Sequence, residues 1–151
     1  MRTGFTGWLA IILNAVALVP AGAHLFALPN KMRLSESDYF VVQSVYSGWQ
    51  SFKYVFIAAL VINIILAILL HRQRLPFVLS VIAVLCTAAF FAVFFIWTYP
   101  ANQLTSNWTV IPSDWQGLRQ QWEISHAANA LIIFIGLCCV SWAALLSRPR
   151  G

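Results

Sequence analysis

Four predominantly apolar stretches, residues 5–28, 54–70, 77–97 and 127–146, alternate with polar connections along the chain. Each approaches or exceeds the roughly 17–25 residues that a helix needs to cross the hydrocarbon core of a bilayer. The pattern predicts an all-α fold: a transmembrane four-helix bundle formed as a single domain over residues 1–151. The connection His71-Arg72-Gln73-Arg74-Leu75-Pro76 is so short that the second and third helices must form an antiparallel hairpin, with Pro76 suited to a first helical turn.

The two longer connections carry helical signals of their own. Ser35-Glu36-Ser37-Asp38 reads as a helix start, a hydroxyl cap followed by an acid three positions on. Behind it Tyr39, Val42, Val45, Tyr46, Trp49 and Phe52 recur at helical spacing. This predicts an amphipathic helix in the outer loop, lying at the membrane interface or running directly into the second span. In the other connection Ser113-Asp114-Trp115-Gln116 marks a further start. The last helix then begins well before its apolar stretch, and its first turns carry Arg119, Trp122, Glu123, His126 and Asn129.

A composition of 61% hydrophobic and 9% charged residues excludes an ordinary water-soluble domain. The net charge of +5 does not signal nucleic acid, because the basic residues scatter at segment ends and build no basic face. They report topology instead. Arg2, Arg72, Arg74, Arg148 and Arg150 fall on one side with no acid among them, whereas Lys31, Arg33, Lys53 and Arg119 on the other side are accompanied by Glu36, Asp38, Asp114 and Glu123. The purely basic side is expected to face the cytoplasm, with both termini there and the two long connections outside. Tyr54, Trp97, Tyr99 and Trp122 then mark the outer interface.

Arg2, the apolar run 8–19 and Ala21-Gly22-Ala23 imitate a cleaved signal sequence. Apolar character continues through Leu28, which favours a retained span. Cys86, Cys138 and Cys139 sit inside apolar runs with no C-x-x-C spacing, and are read as packing residues.

Polar side chains within apolar spans are the first candidates for function, because exposing them to lipid is costly. Asn14 and Asn63 lie near the middle of two antiparallel helices, at similar depth, and are expected to hydrogen-bond to each other. A richer group gathers at the outer end: His24, Asn102, Arg119, Glu123 and His126. Glu123-Ile124-Ser125-His126 puts a carboxylate and an imidazole one turn apart on one helix face. With His24 they supply two histidines and one carboxylate, a ligand set for a mononuclear metal. The alternative is a metal-free polar network in which Arg119 pairs with Glu123 and the histidines donate to loop carbonyls or asparagines. Histidine is also the side chain whose ordinary pKa suits proton transfer near neutrality. Asn107-Trp108-Thr109 fits a glycosylation acceptor, though Trp108 is as readily an interface anchor, and His71 reads as a solvated loop residue.

Together, Ala21-Gly22-Ala23-His24-Leu25-Phe26 with Leu28-Pro29-Asn30-Lys31, then Pro100-Ala101-Asn102, then Arg119, Trp122 and His126, resemble the anthrone-oxygenase-like group of small four-helix membrane proteins. The likeness covers nearly the whole chain. It implies a four-helix bundle and, for a few members, oxygenation of polyphenolic anthrones with no established metal. Where members often carry a basic residue one turn after His126, this chain has Asn129.

The expected function is that of a membrane oxidoreductase or oxygenase acting on a small lipophilic aromatic or quinone-like substrate at the outer face. His24, His126, Glu123 and Arg119 are its candidate catalytic residues, and Asn102, Trp108, Trp115, Trp122 and Tyr46, with Tyr39 and Trp49, its candidate binding wall. The competing expectation is a non-enzymatic membrane protein, either a small binding protein or an accessory subunit docked on a partner or on its own copies. Channel activity is disfavoured, because no ring of charge or pair of broken helices is visible.

Overall fold

The computed structural model describes residues 2–147; Arg148 and Arg150, on which part of the charge argument rests, lie outside the described residues. Among the described residues four helices are long and apolar enough to cross a membrane, and the chain is a multi-pass integral membrane protein. They are α1 (Arg2–Lys31), α3 (Lys53–Leu70), α4 (Arg74–Val93) and α6 (Trp115–Leu146). Two short helices, α2 (Glu36–Gln43) and α5 (Tyr99–Leu104), belong to the long connections. Each long helix touches two neighbours, α1 and α4 each lying between α3 and α6, so the bundle is square in section. One end carries the α3–α4 hairpin and the other carries both long connections; these are called here the hairpin end and the loop end.

Close approach is made possible by small residues at the contacts. Ala10, Ala17, Ala83 and Ala143 are fully buried. A Cβ added at Gly7 would stand 3.1 Å from the Ala144 Cβ, and one at Gly136 would stand 3.3 Å from the Cys86 Cβ. Val61, Ile68, Leu85 and Phe134 point outward, the side that lipid covers. Midway along the bundle Asn14 Nδ2 donates to Asn63 Oδ1 at 3.0 Å, as expected, and Asn63 Nδ2 donates on to Thr87 Oγ1 at 3.2 Å. Thr87 in turn donates to the Ala83 carbonyl. All three cysteines are free, Cys86 and Cys139 half-buried and Cys138 exposed.

Three local departures from the apolar pattern shape the loop end. First, α1 does not stop at residue 28 but runs through Pro20 and Pro29 to Lys31. Leaving the helix earlier would strand backbone polar groups in an apolar setting. Met32 N–H closes it on the Leu28 carbonyl at 3.0 Å. Lys31 is thereby carried two turns beyond His24 on one face.

Second, the amphipathic helix expected over 39–52 is not continuous. Ser35 caps α2, its Oγ accepting from Asp38 N–H at 3.2 Å, but the helix ends at Gln43 and gives way to tight turns at Ser44–Tyr46 and Trp49–Phe52. Between them Gly48 adopts φ +86°, a left-handed conformation open to glycine at little cost. The break lets the chain swing into α3. It leaves Val41 and Val45 on the surface and turns Tyr39 and Gln43 inward.

Third, α4 widens into a π-helical turn at Phe94–Thr98 before α5. Pro100 explains this: it has no N–H, and its ring displaces the carbonyl one turn back. The loosened turn is held from α6, where Gln121 Nε2 donates to the Trp97 carbonyl at 2.8 Å and Ser125 Oγ lies 2.8 Å from Thr98 Oγ1. After α5, Ser106, Asn107 and Trp108 all take positive φ, of 48°, 56° and 65°. Each such residue costs roughly 1–2 kcal/mol. The strained turn is fixed by Trp108 N–H donating to Thr105 Oγ1 and brings the Trp108 indole into the interior.

Candidate functional site

Beneath the loop end lies a buried ion pair. Lys31 Nζ stands 2.7 Å from Glu123 Oε1, and the two side chains are 4% and 0% exposed. The ammonium also lies 3.1 Å from His24 Nδ1 and 5.0 Å from the ring centroids of Tyr46 and Trp122. An ammonium only donates, so His24 Nδ1 accepts and the ring proton sits on Nε2, an assignment made from the network. The same carboxylate oxygen accepts from the Tyr39 hydroxyl at 2.9 Å, and Tyr39 oxygen accepts from Gln43 Nε2. Burial first, and the Glu123 charge second, hold the Tyr39 phenol far above its ordinary range, so it stays a neutral donor. Burial and then Glu123 push Tyr46 in the same direction.

The Arg119–Glu123 pair expected from their spacing is not formed. Arg119 turns to the connection after α1, donating to the Leu34 carbonyl at 3.0 Å, and its guanidinium lies 4.7 Å from the Trp115 ring and 5.4 Å from the Tyr39 ring. The carboxylate is better satisfied by an ammonium already buried beside it, while the planar guanidinium suits aromatic faces and carbonyls. Nor do the histidines donate to asparagines. Asn102 Oδ1 instead accepts two indole N–H groups, from Trp122 at 2.8 Å and from Trp108 at 3.3 Å.

Beside this network a cavity of about 640 Å³ opens between the upper halves of α1, α3, α4 and α6. Its polar lining includes His24, His126, Gln43 and Asn102, with Ser44, Ser47, Gln50 and Lys53, and aromatic rings, among them Phe56, Phe90, Tyr46 and Trp122, make up much of the rest. The two histidine rings lie with centroids 4.3 Å apart and planes tilted by 31°, and Trp122 stands edge-on to both, 4.8 Å from His24 and 4.1 Å from His126. The π-helical turn contributes Phe94 and Phe95 to the wall. A volume of this size, mostly apolar with a few convergent polar groups, is that of a small-molecule site.

The candidate residues therefore divide. His24, His126, Asn102, Trp108, Trp122, Tyr46 and Trp49 line the cavity, whereas Glu123, Arg119, Trp115 and Tyr39 stand behind its wall. The metal triad of His24, Glu123 and His126 is not gathered: among the described residues no three His, Cys, Asp or Glu side chains are placed to hold one ion. Glu123 has turned to Lys31 and Tyr39 instead. What sequence reasoning undervalued is Lys31, Tyr39 and Gln43. The signals were present, seven residues from His24 to Lys31 and four from Tyr39 to Gln43, but the first required a helix running through Pro29.

Chemically, the site offers two adjacent imidazoles lining a largely apolar chamber, backed by an ion pair that compensates its own charges. An imidazole there can take a proton from a bound hydroxyl group, leaving an imidazolium and an oxyanion side by side. No family model, curated protein or solved structure matches the chain.

Proposed function

We propose that the protein binds a small lipophilic aromatic or quinone-like molecule in this cavity and that His24 and His126 exchange protons with it, as a membrane oxidoreductase or oxygenase. The observation that carries the reading is the chamber itself: about 640 Å³, lined largely by aromatic rings and by both histidines. Ile57 and Phe95 line the chamber and are also 49% and 60% exposed, so a ligand dissolved in the bilayer reaches it sideways between α3 and α4. The resemblance to the anthrone-oxygenase-like group agrees with this substrate class. The arginine distribution supports cytoplasmic termini, which puts the chamber at the outer face.

The test begins with mass spectrometry of gently purified protein for a copurifying aromatic molecule, followed by titration with naphthoquinones and hydroxylated polycyclic aromatics, read by tryptophan quenching. Saturable quenching is expected, since Trp49, Trp108 and Trp122 line the chamber. Oxygen consumption with labelled oxygen entering the product makes the protein an oxygenase, and consumption without incorporation makes it an oxidase; in either case His126→Ala lowers turnover by roughly 10²–10⁴-fold with affinity little changed. Saturable binding without turnover leaves a non-enzymatic binding protein. Absence of any saturable ligand overturns the proposal.

A further inference from the structure

The hairpin end carries a concavity of its own. A furrow of about 490 Å³ runs between α3 and α4, with Ile64, Ala67, Ile68 and His71 on one side and Phe77 and Val81 on the other. Ile64 and Ile68 are 40% and 63% exposed, so the furrow opens on the face that lipid covers. From Ile64 to His71 it follows α3 for roughly 10 Å, most of the ~15 Å that one leaflet contributes to the hydrocarbon core. One acyl chain fits such a trough lengthwise. At the level of the hairpin the setting turns cationic. His71 closes α3 with its Nδ1 2.7 Å from the Ile68 carbonyl, which pins the ring at the mouth of the furrow. Exposed Arg72 and Arg74 adjoin it. All four acidic residues of the chain, Glu36, Asp38, Asp114 and Glu123, belong to the loop end, so the two arginines meet no acidic side chain of their own chain.

We infer that the furrow is a lipid site, holding one acyl chain of an anionic phospholipid whose phosphate-bearing head group is met by Arg72 and Arg74. Charge complementarity selects this occupant. The furrow alone would take the tail of any phospholipid, but a zwitterionic head group adds no net charge, whereas two arginines at the membrane surface attract an anionic one. A second copy of the chain packed here in the same orientation would set arginine against arginine. The site lies apart from the chamber and does not depend on what the chamber binds.

The experiment embeds the full chain in nanodiscs of phosphatidylcholine and phosphatidylglycerol in equal amounts with identical oleoyl chains, extracts it into mild detergent and identifies the retained lipid by native mass spectrometry. The wild-type protein is expected to favour phosphatidylglycerol by roughly five- to twentyfold, the worth of one or two arginines beside an anionic surface. Arg72→Gln with Arg74→Gln is expected to abolish the preference. Val81→Phe, which fills the furrow from α4 and keeps both arginines, is expected to abolish retention. Arg33→Gln, the same kind of change at the loop end, is expected to leave both preference and retention as they are, and an unaltered helical circular-dichroism spectrum shows each variant folded. Equal retention of the two lipids by the wild type, a preference that survives loss of both arginines, or an equal drop in Arg33→Gln overturns the inference. So does retention untouched by Val81→Phe, which makes the attraction one of surface charge alone, and so does a lipid-free dimer.

Discussion

Lys31→Met is the most informative single change, because it removes the ammonium on which the loop-end network is centred. At 2.7 Å and an effective dielectric constant near 20, two unit charges attract by roughly 6 kcal/mol. Moving both ions out of water costs several kcal/mol each, so the pair as a whole contributes little net stability. Removing one partner is a different matter. Glu123 is 0% exposed, and its Oε2 already makes no hydrogen bond. Without Lys31 its charge stands uncompensated, at a cost of about 3–5 kcal/mol. Glu123→Gln alone leaves the ammonium similarly stranded. In the double variant Lys31→Met with Glu123→Gln neither partner carries a charge and the glutamine still accepts from Tyr39, so the loss should be only about 1–2 kcal/mol. Reversible unfolding in graded detergent mixtures measures all three. The expected signature is strong non-additivity, the double variant being more stable than the sum of the singles by at least about 2 kcal/mol. If Lys31→Met lies within about 1 kcal/mol of the wild type, or the two changes simply add, the buried pair does not organise the loop end.

Two further outcomes follow from the bundle. Asn14→Leu and Asn63→Leu should each cost roughly 0.6–2 kcal/mol, and the double variant less than their sum, because each single change leaves the other amide without its partner; strictly additive losses in the same unfolding assay would refute direct pairing. For topology, Ser106→Cys is expected to react with an impermeant thiol reagent in intact cells and Gln73→Cys to be protected until the membrane is opened, and the reverse pattern would invert the orientation.

The spans were legible because the bilayer imposes a crude, one-dimensional rule: enough consecutive apolar residues must form a helix, whatever packs beside them. The same economy made Asn14 and Asn63 predictable partners, since two amides at one depth have few alternatives in an apolar interior. At the loop end this economy fails. There Arg119, Lys31, Glu123 and two histidines lie within reach of one another, and spacing along one helix favoured Arg119 for Glu123. The structure chose Lys31 from another helix. Local spacing weighs only the neighbours on one helix face, whereas burial rewards whichever cation arrives already desolvated, and leaves the guanidinium to carbonyls and rings.

The sequence by itself determined the four spans, a hairpin link within 71–76 that the structure shortens to 71–73, the cap at Ser35, the start of α6 and the set of polar residues brought to one end. Tertiary structure alone decided three things. The amphipathic helix stopped at Gln43 so that the chain could swing into α3, the end of α4 widened into a π-helical turn held from α6, and the ion pair drew Glu123 away from the histidines and into a network with Tyr39 and Gln43. The reason is one of range. Hydropathy and capping act between residues a few positions apart, while the hydrogen-bond network behind the chamber is set by charges that meet only when α1, α2 and α6 converge.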